Sequence, residues 1–457
     1  MKPQPLSHLA TGLCAELTGH DTEVRGVSTD SRTIAPGELF VALAGPNFDG
    51  HAWVATAAAR GACAALVAHP QPLDLPQLLV PDTRLALGRL GALARAAFRG
   101  PVIGLTGSNG KTTLKEMSAA ILRRRARVLA TRGNLNNDIG VPLTLLGLDE
   151  DHDCAVIEMG ANHPGEIAYL TALVQPSVAI LNNAGPCHLE GFGSLDGVAR
   201  AKGEIFTGLG AQGVAILNAD DCYFGYWREL VGARPALSFG LDAPADVSAV
   251  VLDAATQRVR LSLPQREHIE FELPLSGRHN LRNACAAAAA TYALGAGAED
   301  IAAGLASLHP VAGRLQRLAG LHGATLVNDA YNANPASLAA GLETLAAEPG
   351  EHWLVLGDMG ELGAEADALH AQSGERARAC GFARLYALGS RSRHAVRAFG
   401  AGGRHFDDID SLTATLAADL AAGVAPTILV KGSRSMRMER VVRALDPHDH
   451  DPLAGAH

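Results

Sequence analysis

Lysine is nearly missing from this chain: five of 457 positions carry it (Lys2, Lys111, Lys115, Lys202 and Lys431), against 33 arginines. Where arginine serves as the general cation, a retained lysine marks a place where a guanidinium does not substitute. Aromatics make up only 4% and the formal net charge is −9, which together exclude a broad nucleic-acid-binding face. The seven cysteines are odd in number and show no CxxC spacing, so neither a disulfide framework nor a zinc site is expected. Long apolar runs are absent too. The nearest, Ala52–Ala68, is cut by Arg60 and falls short of the ~18 residues of a membrane span. Met1–Leu6 shows no basic stretch leading into an apolar one, so no signal peptide is expected. These absences point to a soluble cytoplasmic enzyme without membrane insertion; a monomer is expected, although none of these absences bears on it.

What is present organises into three α/β blocks. Apolar residues reach 48%, and the length suggests about three domains. Residues 1–99 carry short β-like runs (Val24–Thr29, Leu39–Leu43, Ala64–Ala68) between Ala-rich helical stretches. From Gly100, strand runs Val102–Thr106, Ala155–Glu158, Ser177–Leu181 and Val214–Leu217 alternate with helices, the pattern of βαβ units and a mainly parallel sheet. Val247–Leu252, Arg258–Leu263 and Ile269–Leu273 read instead as antiparallel strands of a small accessory sheet. The helix Asn280–Leu294 closes this block at about 312. Residues 313–446 repeat the alternation (Thr325–Asn328, Trp353–Leu356, Arg384–Leu388, Thr427–Val430) and predict a Rossmann-like domain. Residues 447–457, rich in Pro, Asp, Gly and His, are expected to be disordered.

The sharpest local signal is Thr106–Thr113, between the strand Val102–Leu105 and a helix from Leu114. Small residues let the amides of Gly107, Ser108, Asn109 and Gly110 turn toward phosphate oxygens, and the helix N-terminus adds partial positive charge. Lys111 would reach the β/γ-phosphates of ATP, the Thr112 hydroxyl would ligate Mg²⁺, and Thr113 continues the cradle. The strict pattern has glycine where this chain has Leu105, so the loop departs from the most familiar form. Lys115, one turn after Lys111, would favour the same phosphates; a plain surface lysine is the alternative.

Thr106–Glu116 (TGSNGKTTLKE) and Gly133–Leu146 (GNLNNDIGVPLTLL) resemble the Mur ligase family. So do Glu158–Gly160, Asn182–Phe192, Ala201–Glu204, Gly277–Asn283 and Gly313-Arg314. These are cytoplasmic ATP-dependent amide ligases of bacterial cell-wall synthesis. Asp329–Pro335 (DAYNANP), Gly357–Gly363 (GDMGELG) and Lys431–Arg434 (KGSR) resemble the member that adds D-alanyl-D-alanine to UDP-N-acetylmuramoyl-tripeptide. Ser28–Arg32 (STDSR) matches that member and also the one adding diaminopimelate or lysine.

The resemblance implies an acyl-phosphate mechanism and assigns roles. Glu158 and His188 would bind Mg²⁺ (two ions are expected), although in isolation one is an ordinary pairing carboxylate and the other a polar loop residue. Lys202 would carry a CO₂-derived carbamate, Asn280 would read adenine or cap its helix, and Arg314 would reach the γ-phosphate on domain closure. Asp329 would contact the ribose, while Ser28, Ser31 and Arg32 would hold the UDP end of the substrate. Asn134, Asn136 and Asn137 would bind peptide and sugar groups, with an Asx-turn role left open. Asn332, Asn334, Lys431 and Arg434 would grip the dipeptide, with the alternative that the two cations simply stabilise nearby carbonyls left open. The competing readings are the diaminopimelate- or lysine-adding ligase, a folate-polyglutamating ligase, and a P-loop ATPase with a regulatory role.

Overall fold

The computed structural model describes residues 2–446; the expected disordered tail at 447–457 lies outside the described residues. Three main sheets follow one another along the chain, each assembled from one of the three blocks. The first has five strands in the order Glu16–Thr18, Gln77–Leu79, Ala64–Val67, Glu38–Val41, Gly26–Ser28, parallel except for the first pair.

The central sheet carries nine strands. Val128–Ala130, Cys154–Glu158, Val102–Thr106, Val178–Leu181, Val214–Asn218, Ala236–Gly240 and Val247–Asp253 run parallel. Strand residues alternate between two cores: Ile103, Leu105 and Ile180 face one, Val102, Ala179 and Leu181 the other. Both faces are covered by helices, which is why these strands read as unbroken apolar runs. The helix Arg278–Ala293 buries Ala284 and Ala286–Ala290 completely. Small side chains along that face bring its backbone close to the sheet and to the helix Lys111–Leu122.

The expected separate accessory sheet is not what forms. Arg258–Ser262 and His268–Glu272 are antiparallel, but they pair onto Val247–Asp253, itself parallel to Ala236–Gly240, and so extend the central sheet. The third sheet runs Gln316–Ala319, Thr325–Asp329, Thr427–Lys431, His352–Gly357, Arg384–Leu388, Gly403–Phe406, with the first strand antiparallel. Among the described residues no helix is long and apolar enough to cross a membrane.

Register decides where chemistry can gather. Leu105 pairs with Glu158 and Thr106 with Leu181, so the phosphate loop, Glu158 and the segment from Asn182 all leave the same carboxyl edge of the parallel sheet. That edge is where open α/β sheets bind ligands.

Candidate active site

The phosphate loop is held from both sides. Gly107 (φ +155°) and Gly110 (φ +78°) adopt backbone conformations that side chains disfavour. A Cβ at Gly110 would lie 2.6 Å from Asn283 Oδ1 and 2.8 Å from Asn182 Nδ2. Asn182 and Asn183 both donate to the carbonyl of Asn109, at 2.9 and 3.1 Å, and Asn183 accepts from the Asn109 amide at 2.9 Å. Ser108 and Gly185 exchange two hydrogen bonds, 3.1 and 2.9 Å. Lys111 donates back to the loop carbonyls of Gly107 and Ser108 at 2.7 and 3.2 Å. Asn182, Asn183 and Asn283 carried no assigned role in the sequence; their signal was position after a strand or inside a helix, which does not announce a loop buttress.

Beside the loop lies a cavity of about 830 Å³. Its walls include Ser108–Thr112, Asn134, Asn136, Asn137, Glu158, His188, Arg314, Asn332, Asn334 and Arg434. Glu158 is 1% exposed; Asn136 donates to its Oε1 at 2.7 Å, while Oε2 is buried with no hydrogen-bond partner. A buried carboxylate oxygen left unmatched beside a phosphate loop fits a cation. Among the described residues no group of three or more His, Cys, Asp or Glu is set to hold a metal, an arrangement that suits Mg²⁺, which takes few protein carboxylates and keeps phosphate oxygens and water as ligands. Asn137 turns its Oδ1 to the Gly140 amide at 2.8 Å, the Asx-type role left open above.

His188 (φ +51°) pairs through Nδ1 with Glu361 (φ +59°) of the third sheet's loops, without hydrogen-bond geometry. Burial holds its imidazole below the ordinary value, opposed by Glu361 and reinforced by Lys111 and Lys202. Lys202, 1% exposed on the helix Leu195–Gly203, sits behind the cavity wall. Its Nζ donates to Ala161 O at 3.3 Å and lies 5.3 Å from the Phe192 ring centre. Burial, with Lys111 nearby, pushes its ammonium down to about 8.

A second cavity of about 270 Å³ opens on the far side of the loop, lined by Thr113, His279, Asn280, Arg282, Asn283, Asp329 and Lys431. Asn109, Gly110, Arg314 and Ser337 border both cavities. The helix here begins at Arg278 after Gly277, so Asn280 lies in its first turn and is not the cap; its Nδ2 donates to Ser276 O at 2.8 Å. Burial pushes His279 down to about 4. The Arg314 guanidinium stacks 4.2 Å over the Tyr331 ring.

Several expected residues take other positions. Lys115 lines neither cavity: it is buried, donating to Thr131 O at 2.7 Å and pairing with Glu116 at 2.8 Å, and Thr131 Oγ1 in turn accepts from the Glu158 amide at 3.0 Å. A four-residue step along the helix placed it on Lys111's face, but packing turned it to the strand end at Thr131. Lys431 is 2% exposed, ion-paired with Asp329 and donating to Asn332 O at 3.1 Å. Burial lowers its ammonium, with Asp329 opposing. It therefore faces the second cavity, apart from Arg434, and its cation is already matched. Asn334 has both ends of its amide engaged, Oδ1 by Ser337 N and Nδ2 by Asn109 Oδ1. Neither residue is free to grip a dipeptide as expected. Ser28, Ser31 and Arg32 line neither cavity; Arg32 forks onto Asp30 at 2.8–3.2 Å, which holds that carboxyl down to about 2. Asp82, Arg84 and Tyr169, unassigned in the sequence, complete the large cavity's wall, with Arg84 forked onto Asp138.

Comparison with known proteins gives three family matches: the Mur ligase family catalytic domain over residues 23–95, the Mur ligase middle domain over 105–291, and the Mur ligase glutamate ligase domain over 313–434. The UDP-N-acetylmuramoyl-tripeptide–D-alanyl-D-alanine ligase of Escherichia coli is 48% identical over 96% of this chain and 98% of its own. A crystal structure of MurF from Acinetobacter baumannii superposes with TM-score 0.92 at 37% identity, covering 97% of this chain and 98% of that one. MurF ligase from Thermotoga maritima in complex with ADP gives TM-score 0.81 at 29% identity over 92% and 97%.

Proposed function

Because the chain belongs to the Mur ligase family, we propose that this ATP-dependent ligase joins D-alanyl-D-alanine to UDP-N-acetylmuramoyl-tripeptide, releasing ADP and phosphate. The observation that carries the reading is one cavity bounded by the phosphate loop and Glu158 on one side and by Arg314, Asn332 and Arg434 on the other, in a chain nearly half identical to a ligase named for that reaction.

An amide does not form spontaneously from a carboxylate, because oxide is a poor leaving group. The tripeptide carboxylate attacks the γ-phosphorus, ADP leaves, and the dipeptide amine then displaces phosphate from the acyl carbon. Two anions must meet, so their charge must be neutralised before reaction. Lys111 and the loop amides bind the phosphates, and Arg314, fixed by its stack on Tyr331, reaches them from the third sheet. The second cavity takes the nucleoside, with Asn280 toward the base and Asp329, oriented by Lys431, toward the ribose. Glu158 Oε2, Thr112 and His188 are the side chains that would hold a Mg²⁺ ion, which would supply Lewis acidity when bound.

Lys202 is the carbamate candidate. A shielded amine titrating near 8 offers a neutral nitrogen to CO₂, which an arginine never does. The five-stranded first sheet and the helix Thr83–Ala97 hold the UDP end, and Asn332 and Arg434 meet the dipeptide. The enzyme works in the cytoplasm as a monomer.

A phosphate-release assay with ATP, Mg²⁺ and UDP-muramoyl-tripeptide, offering D-alanyl-D-alanine, glutamate or diaminopimelate separately, tests the reading. Release only with the dipeptide, with product mass rising by that unit, is expected. Hydrolysis indifferent to all three would place the chain among regulatory ATPases.

A further inference from the structure

Asn334 stands at a junction that the reaction scheme does not use. It is the N-cap of the helix Pro335–Ala346, and its Oδ1 accepts from the Ser337 amide at 2.9 Å. Ser337 Oγ closes the reciprocal half of this capping box by accepting from the Asn334 amide at 3.1 Å. The cap removes the freedom of the Asn334 amide to flip, so its Nδ2 must point away from the helix. There it meets Asn109 Oδ1 at 2.7 Å, a side chain 225 positions earlier in the phosphate loop. Asn109 is held on its backbone by Asn182 and Asn183, which belong to the central sheet. Its side chain is held by a residue of the third sheet's block. Asn109, Gly110, Arg314 and Ser337 are the residues that border both cavities. The contact therefore lies where a nucleotide would pass from the nucleoside pocket to the reaction chamber.

We infer that Asn334 is a positioning residue: its helix-capping amide latches the carboxy-terminal block onto Asn109 and sets the phosphate loop and Arg314 in register for phosphoryl transfer. The inference rests on the ligase reading above. The latch uses an uncharged donor on a rigid helix start, so it fixes distance without competing with phosphate for a cation. A second crossing contact, Glu361 with His188, lies on the other side of the large cavity, so the latch fixes one edge of a two-point closure.

The test separates the latch from the cap. Asn334→Ser keeps a good capping oxygen but is too short to reach Asn109. Asn109→Ser removes the acceptor and leaves the loop backbone in place. With the full-length protein, each single variant is expected to lower kcat about fivefold to tenfold, the worth of one hydrogen bond. KM for ATP and the thermal midpoint should stay near wild type. The double variant should be no slower than either single one, because both remove the same contact. Unchanged kcat in Asn334→Ser, or losses that multiply in the double variant, would overturn the latch. So would a midpoint drop that accounts for the lost rate. Wild-type protein is the control: its failure to form product would overturn the ligase reading itself, independently of the latch.

Discussion

At the scale of single residues, the scarcity of lysine sorts positions by burial. Lys115, Lys202 and Lys431 are each no more than 2% exposed, an unusual fate for an ammonium. Two of the three spend their charge on partners, Glu116 and the Thr131 carbonyl, and Asp329. Among the described residues Lys202 meets a carbonyl at 3.3 Å and an aromatic ring but no carboxylate partner, and burial with Lys111 nearby makes its ammonium easier to deprotonate. Below about pH 8 the protonated form, which cannot attack CO₂, predominates; above it the free amine does. Label from ¹³C-bicarbonate should therefore enter a carbamate carbonyl signal more strongly at pH 9 than at pH 7. Lys202→Arg should lose both that signal and about a hundredfold in kcat; an arginine variant with full activity would refute the carbamate. His279 supplies an acid-side prediction. Its folded value near 4 lies below the ordinary 6.5, so between those limits the unfolded chain binds the extra proton and folding loses stability as pH falls. The loss is about 2 kcal/mol after allowing for its partial exposure, and above pH 6.5 it vanishes. His279→Asn should flatten the thermal midpoint between pH 6.5 and 4.5 relative to wild type; parallel curves would contradict it. The sequence revealed that these lysines were special, because their rarity was visible. It left open that Lys431 serves nearby carbonyls, but it could not reveal the pairing with Asp329 or the turn of Lys115 to Thr131, since both depend on which way a buried stem turns.

Elements were readable to the extent that both faces of a strand are buried. Val102–Thr106, Cys154–Glu158 and Val178–Leu181 are buried throughout, and apolar but for the terminal Thr106 and Glu158, because helices cover them on each side, and they stood out in the sequence. Edge strands Gln316–Ala319 and Gly403–Phe406 are only half-buried and carry Arg317, Arg404 and His405, so they left no apolar run to find. The antiparallel strands at 247–272 were visible, but their attachment to the central sheet rests on two residue pairs beside Phe239 and Gly240, which no local pattern encodes. Helix packing makes a paired prediction. In the helix Ala298–Ala306, a Cβ on Gly304 would come within 2.5 Å of Ile121 Cα, backbone that cannot swing aside. Gly304→Ala should cost about 1–3 kcal/mol by overpacking against the phosphate-loop helix and lower the melting midpoint by roughly a few degrees. Gly225, exposed in the helix Phe224–Val231 with nothing within 4 Å of its Cβ position, should gain about 0.5–1 kcal/mol as alanine. Equal midpoints for the two variants would show that space around the glycine does not decide the outcome.

At the scale of the molecule, the site exists only because three sheets meet. Helix Thr83–Ala97 brings Arg84, the central sheet brings the phosphate loop and Glu158, and the third sheet's loops bring Arg314, Glu361 and Arg434. Contacts such as Asn109 with Asn334 join positions 225 apart, and nothing local in a sequence reports such a pair. The assembled cavity also has a charge that single motifs conceal. Its walls hold four permanent cations (Arg84, Lys111, Arg314, Arg434) and five carboxylates (Asp82, Asp138, Glu158, Glu166, Glu361), within a chain of net charge −9. Such a surface has no surplus attraction for ATP and a UDP-linked peptide, both polyanions, so affinity depends on a divalent cation that enters with the nucleotide and meets the unpartnered Glu158 oxygen. Removing Mg²⁺ with a chelator should weaken ATP binding at least about tenfold, or about 1.4 kcal/mol, in calorimetry on the wild-type protein. Glu158→Gln should shrink that Mg²⁺ dependence, because an amide neither repels the phosphates nor attracts the ion as strongly. An ATP affinity indifferent to Mg²⁺ in the wild type would mean that the loop amides and Lys111 outweigh the five carboxylates on their own.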